Sequence, residues 1–211
     1  MKLLYIGPLF PGSTALHRKQ ALENLGCQVT TIDTRWPGSN YGDRSALQRI
    51  YRRLLRATDQ IADWRGVKRS LRQYGRATAW DVLWVDKGND LQPRLLEWFK
   101  QLQPECRLVN YSPDDMFNPG NSTDYFRRAI PLYDLMVTTK SYNVAELQAS
   151  GAKDVFFVGN AYEPSIHRPV KLSPEEAARW ACDVCFVGAC EPDRQRSIER
   201  LAGTGVSIGL F

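Results

Sequence analysis

KLLYIGPLFPGSTALHR, running from Lys2 to Arg18, is the stretch whose reading decides the fold. Leu3, Leu4, Tyr5 and Ile6 form a short apolar run, a Gly/Pro loop extends from Gly7 to Gly12, and Ser13 and Thr14 open a helical pattern. The order is strand, loop, helix. A strand apolar on both faces suits the centre of a parallel sheet, where helices cover it above and below. Ser13 has the side chain of a helix N-cap, and a helix starting there aims its free N–H groups and positive dipole end at whatever sits over Gly7. In open α/β sheets ligands lie beyond the carboxyl ends of the strands, beside the place where strand order reverses. Gly7 to Gly12 is therefore either a ligand-facing loop or a turn that only reverses the chain. Its glycines do not spell GxGxxG, and no Lys-Ser or Lys-Thr pair follows Gly12 as a phosphate-binding P-loop requires.

Outward from this stretch the same alternation repeats. The first helix, Thr14 to Leu25, meets a stop at Gly26, and Gln28 to Asp33 reads as a second strand. Asp33 closes that strand where a dinucleotide fold holds a ribose hydroxyl, the one argument for a nicotinamide or flavin oxidoreductase. Thr34 to Asp43, with Pro37, Gly38, Asn40 and Gly42, is a loop. Trp80 to Asp86, Arg107 to Tyr111, Asp134 to Thr138 and Asp154 to Val158 are further strands. The helices expected between them are Leu91 to Leu102, Thr123 to Leu132 and Ser141 to Ser150. Six strands alternating with helices predict an α/β fold with a doubly wound, Rossmann-like parallel sheet over residues 1–163. Pro164 to Pro174 holds three prolines and breaks the pattern, so 164–181 reads as an interdomain linker. The pattern restarts over 182–211, with strands at Asp183 to Val187 and Val206 to Leu210 around a helix from Asp193 to Leu201. This is the beginning of a second Rossmann-like domain, too short to bury a core of its own.

Composition limits the class. The 211 residues allow one domain of about 150 residues and a remainder. With 43% hydrophobic residues and a mean hydropathy of -0.40, the chain has the balance of a soluble globular protein. No apolar run approaches the roughly 18 residues of a membrane span. Met1 to Phe10 lacks the longer apolar core and small-residue cleavage site of a secretory signal, so a cytoplasmic protein is expected. Five irregularly spaced cysteines argue for reduced thiols. Cys182 and Cys185 make a CxxC, but they flank a strand pattern with no second ligand pair nearby, and no metal site is expected.

The net charge of +5 is unevenly placed, because Arg44 to Arg76 carries ten basic residues against Asp59 and Asp63. Ile50, Leu54, Ile61, Trp64, Val67 and Leu71 recur there at helical spacing, so the segment reads as one or two amphipathic helices. Beyond a solvated face, such a segment suits an anionic membrane surface or an acidic partner. Nucleic acid is not expected, since no recognised binding motif accompanies the charge.

The loops at the strands' carboxyl ends hold the candidate site residues. Lys87 and Asn89 follow the third strand, Lys140 the fifth and Asn160 the sixth. After the fourth strand, SPDDMFNPG from Ser112 to Gly120 places Asp114 and Asp115 side by side. Adjacent acids in a turn are either a solvated Asx turn or helix cap, or a substrate-facing pair, and loops at this edge carry function disproportionately.

Two stretches, YDLMVTTKSYNVAELQASGAKDVFFVGNAYEPSIHRP and DVCFVGACEPDRQRSIERLAGTGVSIGLF, together resemble the middle of a GT-B glycosyltransferase. They come closest to the group around the spore maturation protein CgeB and its glycosyltransferase relatives. STALHRKQALENLGCQVTTID is similar to that group's opening, and YSPDD resembles its acidic loop after the fourth strand. The resemblance covers nearly the whole chain except Arg44 to Thr78. It implies two Rossmann-like domains face to face, the first mainly for the acceptor and the second for a nucleotide-sugar donor, with no metal required. Gly7, Gly12, Ser13 and Thr14 would then lie near the donor phosphates, with His17 and Arg18 beside them. Asp114 or Asp115 would lie near the acceptor hydroxyl, as general base if the enzyme inverts stereochemistry. Because the second domain builds only two strands before Phe211, the chain alone is expected to be weak or inactive as an enzyme. The alternative reading is a non-catalytic binding or scaffold module of the same fold.

Overall fold

The computed structural model describes residues 1–35, 54, 63, 65–188 and 190–211. The loop expected up to Asp43 therefore passes, from Trp36 on, outside the described residues. So do most of the basic segment's expected helices, including Ile50, Ile61 and Trp64. The described residues form two compact units, Met1–Glu163 and Pro164–Phe211.

The larger unit is a Rossmann-like α/β fold. Its strands are β1 (Lys2–Gly7), β2 (Gln28–Asp33), β3 (Val82–Asp86), β4 (Arg107–Ser112), β5 (Leu135–Thr138) and β6 (Val155–Phe157). They pair in the order β2-β1-β3-β4-β5-β6, every pair parallel. The chain builds outward from β1 to β2, then crosses back so that β3 lies on β1's other side. The reversal point lies between β1 and β3, and that is where such sheets bind ligands.

Alternate residues of each strand enter two cores because successive side chains point to opposite faces. Leu4, Ile6, Leu83, Val85 and Leu108 pack beneath α2 (Val67–Ala77) and α3 (Pro93–Leu102) through Leu71, Leu96 and Phe99. Leu3 and Tyr5 face the other way, onto Ala15 and Leu22 of α1 (Thr14–Asn24). Leu4, Tyr5, Leu71 and Phe99 are all 0% exposed, so β1 is buried on both sides as its sequence dictates.

Element ends follow local hydrogen bonding. Ser13 caps α1 by accepting the Leu16 N–H, and Gly26, at φ +83°, closes it with the Cys27 N–H returning to the Leu22 carbonyl. β3 starts at Val82 and not at the expected Trp80, because the Trp80 N–H is taken by the Gln103 side chain and its indole by the Tyr74 carbonyl. The helix expected over Thr123 to Leu132 divides into α4 (Asp124–Ala129) and a 3-10 turn, Ile130–Leu132, where Pro131 has no N–H to continue the ladder. α5 (Asn143–Ala149) joins β5 to β6.

In the smaller unit β7 (Val184–Phe186) and β8 (Ile208–Leu210) form a parallel pair with α7 (Pro192–Ala202) between them in sequence. The second half of the stretch expected as linker, 164–181, carries a helix, α6 (Pro174–Trp180). A capping box starts this helix: Ser173 accepts the Glu176 N–H and Glu176 accepts the Ser173 N–H. Trp180 at its end meets Phe211 at 4.9 Å between ring centroids, so the helix packs with the strand pair. None of the described residues of 164–211 is buried.

Candidate functional site

Parallel strands end on one edge, so Gly7, Asp33, Asp86, Ser112 and Thr138 mark a common rim, and the loops that follow them begin there. At the reversal point β1 and β3 are locked together. A Cβ on Gly7 would stand 2.9 Å from the Tyr5 ring and 3.0 Å from the Asp86 Cβ, so only glycine lets the two strand ends close this tightly. Asp86, whose side chain is 2% exposed, receives Arg18 from α1 through two nitrogens, Nε at 2.9 Å and Nη2 at 2.7 Å. The Tyr5 hydroxyl donates to the same carboxylate.

This two-point contact neutralises a charge that burial alone would expel. Burial works against the Arg18 charge, but Asp86 outweighs it and holds the guanidinium above its ordinary pKa. Burial, followed by the Asp86 charge, drives the Tyr5 phenol far above its usual value and keeps its proton in place. The Arg18 guanidinium also lies 4.2 Å from the centre of the Tyr111 ring. Tyr5, Trp84 and Tyr111 stack in sequence across β1, β3 and β4, at 6.2 Å and 5.9 Å. Arg18 is thus built into the wall of the rim.

The next residue turns outward. Lys87 has φ 61°, the only described residue other than glycine with a positive φ, and Gly88 follows at 82°. The left-handed conformation costs an ordinary side chain on the order of 1 kcal/mol. Asn110, 0% exposed in β4, holds the turn by donating its amide to the carbonyls of Val85 at 3.2 Å and Lys87 at 3.0 Å. So held, Lys87 makes an ion pair with Asp114 of the loop after β4, with the two side chains 35% and 34% exposed. Arg18–Asp86 and Lys87–Asp114 form consecutive links from the first helix to the acidic loop.

The two adjacent acids have different surroundings. The Asp115 carboxylate accepts the Asn143 amide at 3.0 Å and the N–H groups of Phe117 and Asn118 at 3.1 and 3.3 Å. Those bonds, the Asn143 one foremost, hold its pKa below the ordinary carboxylate range, with Lys140 on the loop after β5 adding its charge. Asn143, 1% exposed, also accepts the Met116 N–H and so pins this loop to the start of α5. Asp115 shapes the loop; Asp114 meets Lys87.

The remaining candidates spread along the rim. Ser13 and Thr14 start α1, Thr14 accepting Arg18 Nη2 at 3.4 Å, while His17 lies half-buried one turn in. Gly12, at φ +82°, faces open space. Asn89 serves the scaffold, its amide donating to the Asn121 carbonyl and its own carbonyl accepting from Thr123, both at 2.7 Å. Asn160 follows the outermost strand and is exposed, well removed from the reversal point. Asp33 accepts the Leu9 and Arg35 N–H groups and the Arg65 guanidinium. Burial opposes its charge, but those three donors outweigh it and lower its pKa. Both oxygens are thereby bound to the chain's own loops.

Sequence reasoning passed over Tyr5, Asp86, Asn110 and Asn143. A signal was present for two of them: Asp86 ends an apolar strand, and Asn110 is a polar residue in mid-strand. Among the described residues no group of three or more His, Cys, Asp or Glu is placed to hold a metal ion. No protein-family model matches the chain, and no curated protein matches it.

Proposed function

We propose that the larger unit is the acceptor-side lobe of a GT-B type glycosyltransferase, and that a hydroxyl-bearing acceptor binds at the Lys87–Asp114 pair. That pair is the observation that carries the reading. A hydroxyl group needs an acceptor for its proton and a donor for its oxygen, and a half-exposed carboxylate beside an ammonium supplies both. The position between the ends of β3 and β4, beside the reversal point of a parallel sheet, and the resemblance in motif order support the same reading. In the reaction the acceptor oxygen bonds to the anomeric carbon of a nucleotide sugar while Asp114 takes the hydroxyl proton. The bond to the nucleoside diphosphate breaks, and that group leaves with its electron pair. Lys87 orients the acceptor, and Arg18, neutralised by Asp86, stiffens the wall behind it.

The test is saturation-transfer NMR with a panel of mono- and oligosaccharides and of nucleotide sugars. Saccharide binding that falls at least tenfold in Lys87→Ala and in Asp114→Asn is expected; absence of binding by every member of both panels overturns the proposal. A non-catalytic saccharide-binding module is the second reading, favoured by one observation: Asp114 is closed in an ion pair that must open before it can take a proton. Single-turnover transfer from a labelled nucleotide sugar separates the two.

A further inference from the structure

The outer side of α2 carries an exposed row of cations. Lys68, Arg69, Arg72 and Arg76 fall within one side of the helix, while Leu71 and Gly75 on the adjoining side are buried. At a rise of about 1.5 Å per residue the row is roughly 12 Å long. With Gln73 and Asp63 these residues line a shallow concavity. Asp63 is the one acid of this lining, and its two oxygens accept the Val67 and Lys68 N–H groups at the start of the helix, so four cations stand against one carboxylate. Among the described residues no ion pair engages any of the four cations. Beneath them lies Trp98 of α3, its ring centre 6.0 Å from the Arg72 guanidinium and 5.6 Å from that of Arg76.

Four outward cations that make no ion pair among the described residues repel one another, and an external anionic surface relieves that repulsion. We infer that this side of α2 is a docking surface for an anionic lipid bilayer, contacted through Lys68, Arg69, Arg72 and Arg76. A helix lying flat presents its charges to a plane of headgroups all at once. Long basic side chains reach the headgroup phosphates, while Trp98 behind them backs the Arg72 and Arg76 guanidiniums from the protein side. Groove readers of nucleic acid add polar side chains that reach base edges, and here Gln73 is the lone uncharged polar side chain lining the concavity. The sequence continues the same sign, with ten basic residues against two acids between Arg44 and Arg76. The inference rests on the charge of α2 and not on the Lys87–Asp114 pair.

The experiment is flotation of the full chain with vesicles of phosphatidylcholine alone and of phosphatidylcholine containing about one third phosphatidylserine. Binding to the second and not the first is expected, weakening as salt is raised. Each basic residue near an anionic surface contributes about fivefold in partition, so a variant with Lys68, Arg69, Arg72 and Arg76 all changed to Ser should lose several-hundred-fold. Because Arg72 and Arg76 also cover Trp98, a second variant with Arg69, Arg72 and Arg76 changed to Lys keeps the charge and should stay within about threefold of the parent. Partition that ignores phosphatidylserine, or that survives the Ser variant, overturns the inference. Tighter binding to a short mixed-sequence DNA duplex than to the anionic vesicles, lost in the Ser variant, also overturns it and assigns the surface to nucleic acid.

Discussion

Arg18 and Asp86, 68 residues apart in sequence, meet through two hydrogen bonds of 2.9 and 2.7 Å and tie the first helix to the third strand. Removing the guanidinium leaves Asp86, 2% exposed, with a buried charge and only the Tyr5 hydroxyl to answer it. Arg18→Ala should therefore cost about 3 to 5 kcal/mol in urea unfolding. Replacing both partners, Arg18→Met with Asp86→Asn, should cost less than Arg18→Ala alone, since no charge is then stranded. A double variant at least as unstable as the single one would show that packing, and not charge, is what Arg18 supplies.

Lys87 occupies a backbone conformation that glycine adopts without penalty. Lys87→Gly should leave the thermal midpoint unchanged or raise it by a few degrees, since relief of strain offsets the lost ion pair of a half-exposed side chain. Saccharide binding should fall in the same variant by about tenfold, on the order of one charge-assisted hydrogen bond. A substitution that raises stability while removing binding marks a side chain kept for function; a drop in both would mark a structural one.

Asp114 and Asp115 should separate cleanly. Asp115→Ala removes the acceptor for two backbone N–H groups and the Asn143 amide, so a midpoint lower by several degrees is expected. Asp114→Asn breaks one half-exposed pair and should shift the midpoint by no more than about two degrees. If the second variant proves as unstable as the first, the distinction between loop-shaping and substrate-facing acids fails.

Asp134 sets a pH dependence. Burial opposes its charge, but the Leu108 N–H and the ammonium groups of Lys100 and Lys153, at 2.9 and 3.0 Å, overcome that and lower its pKa to about 2. A carboxyl depressed in the folded state stabilises it fully above the ordinary value near 4, and that contribution disappears as pH falls through about 2. Acid unfolding followed by circular dichroism between about pH 5 and pH 2 should be shallower in Asp134→Asn than in the parent. Identical slopes would remove Asp134 from the account of acid lability.

Cysteine reactivity offers a check on burial. Burial pushes the Cys106 thiol up to about 11, and the residue is 1% exposed. Cys185 and Cys190 are exposed. Alkylation at mild alkaline pH, read by peptide mass spectrometry, should label Cys185 and Cys190 well before Cys106, because the thiolate is the reacting form and must be reachable. Early labelling of Cys106 would mean that the sheet's larger core opens locally.

Much of the sheet could be read from the chain because most strands carry a short apolar run close to a Gly, Pro or Asp, and those local signals coincide with the strands' surroundings. Ends were less legible wherever a distant group decides them, as the Gln103 side chain does for Trp80. The helix at Pro174–Trp180 was concealed by the three prolines between 164 and 174, although Ser173 and Glu176 already stood at capping-box spacing. At the site, residue types at the rim were legible but partnerships were not. Nothing local to YSPDD says that one acid reaches Lys87 while its neighbour turns toward Asn143, since those partners arrive from other strands' loops.

The strand order carries a kinetic consequence. β1 has parallel neighbours on both sides, and the one at β3 is fixed by contacts such as Lys2 with Asp81, 79 residues along the chain. No adjacent pair in that sheet is a hairpin, so none can zip up from a tight turn, and closing such long loops must precede any reward from pairing. On a ribosome β1 can join β2 early yet must wait with its other edge open until β3 emerges. Until then that edge is open to pairing with any other extended chain.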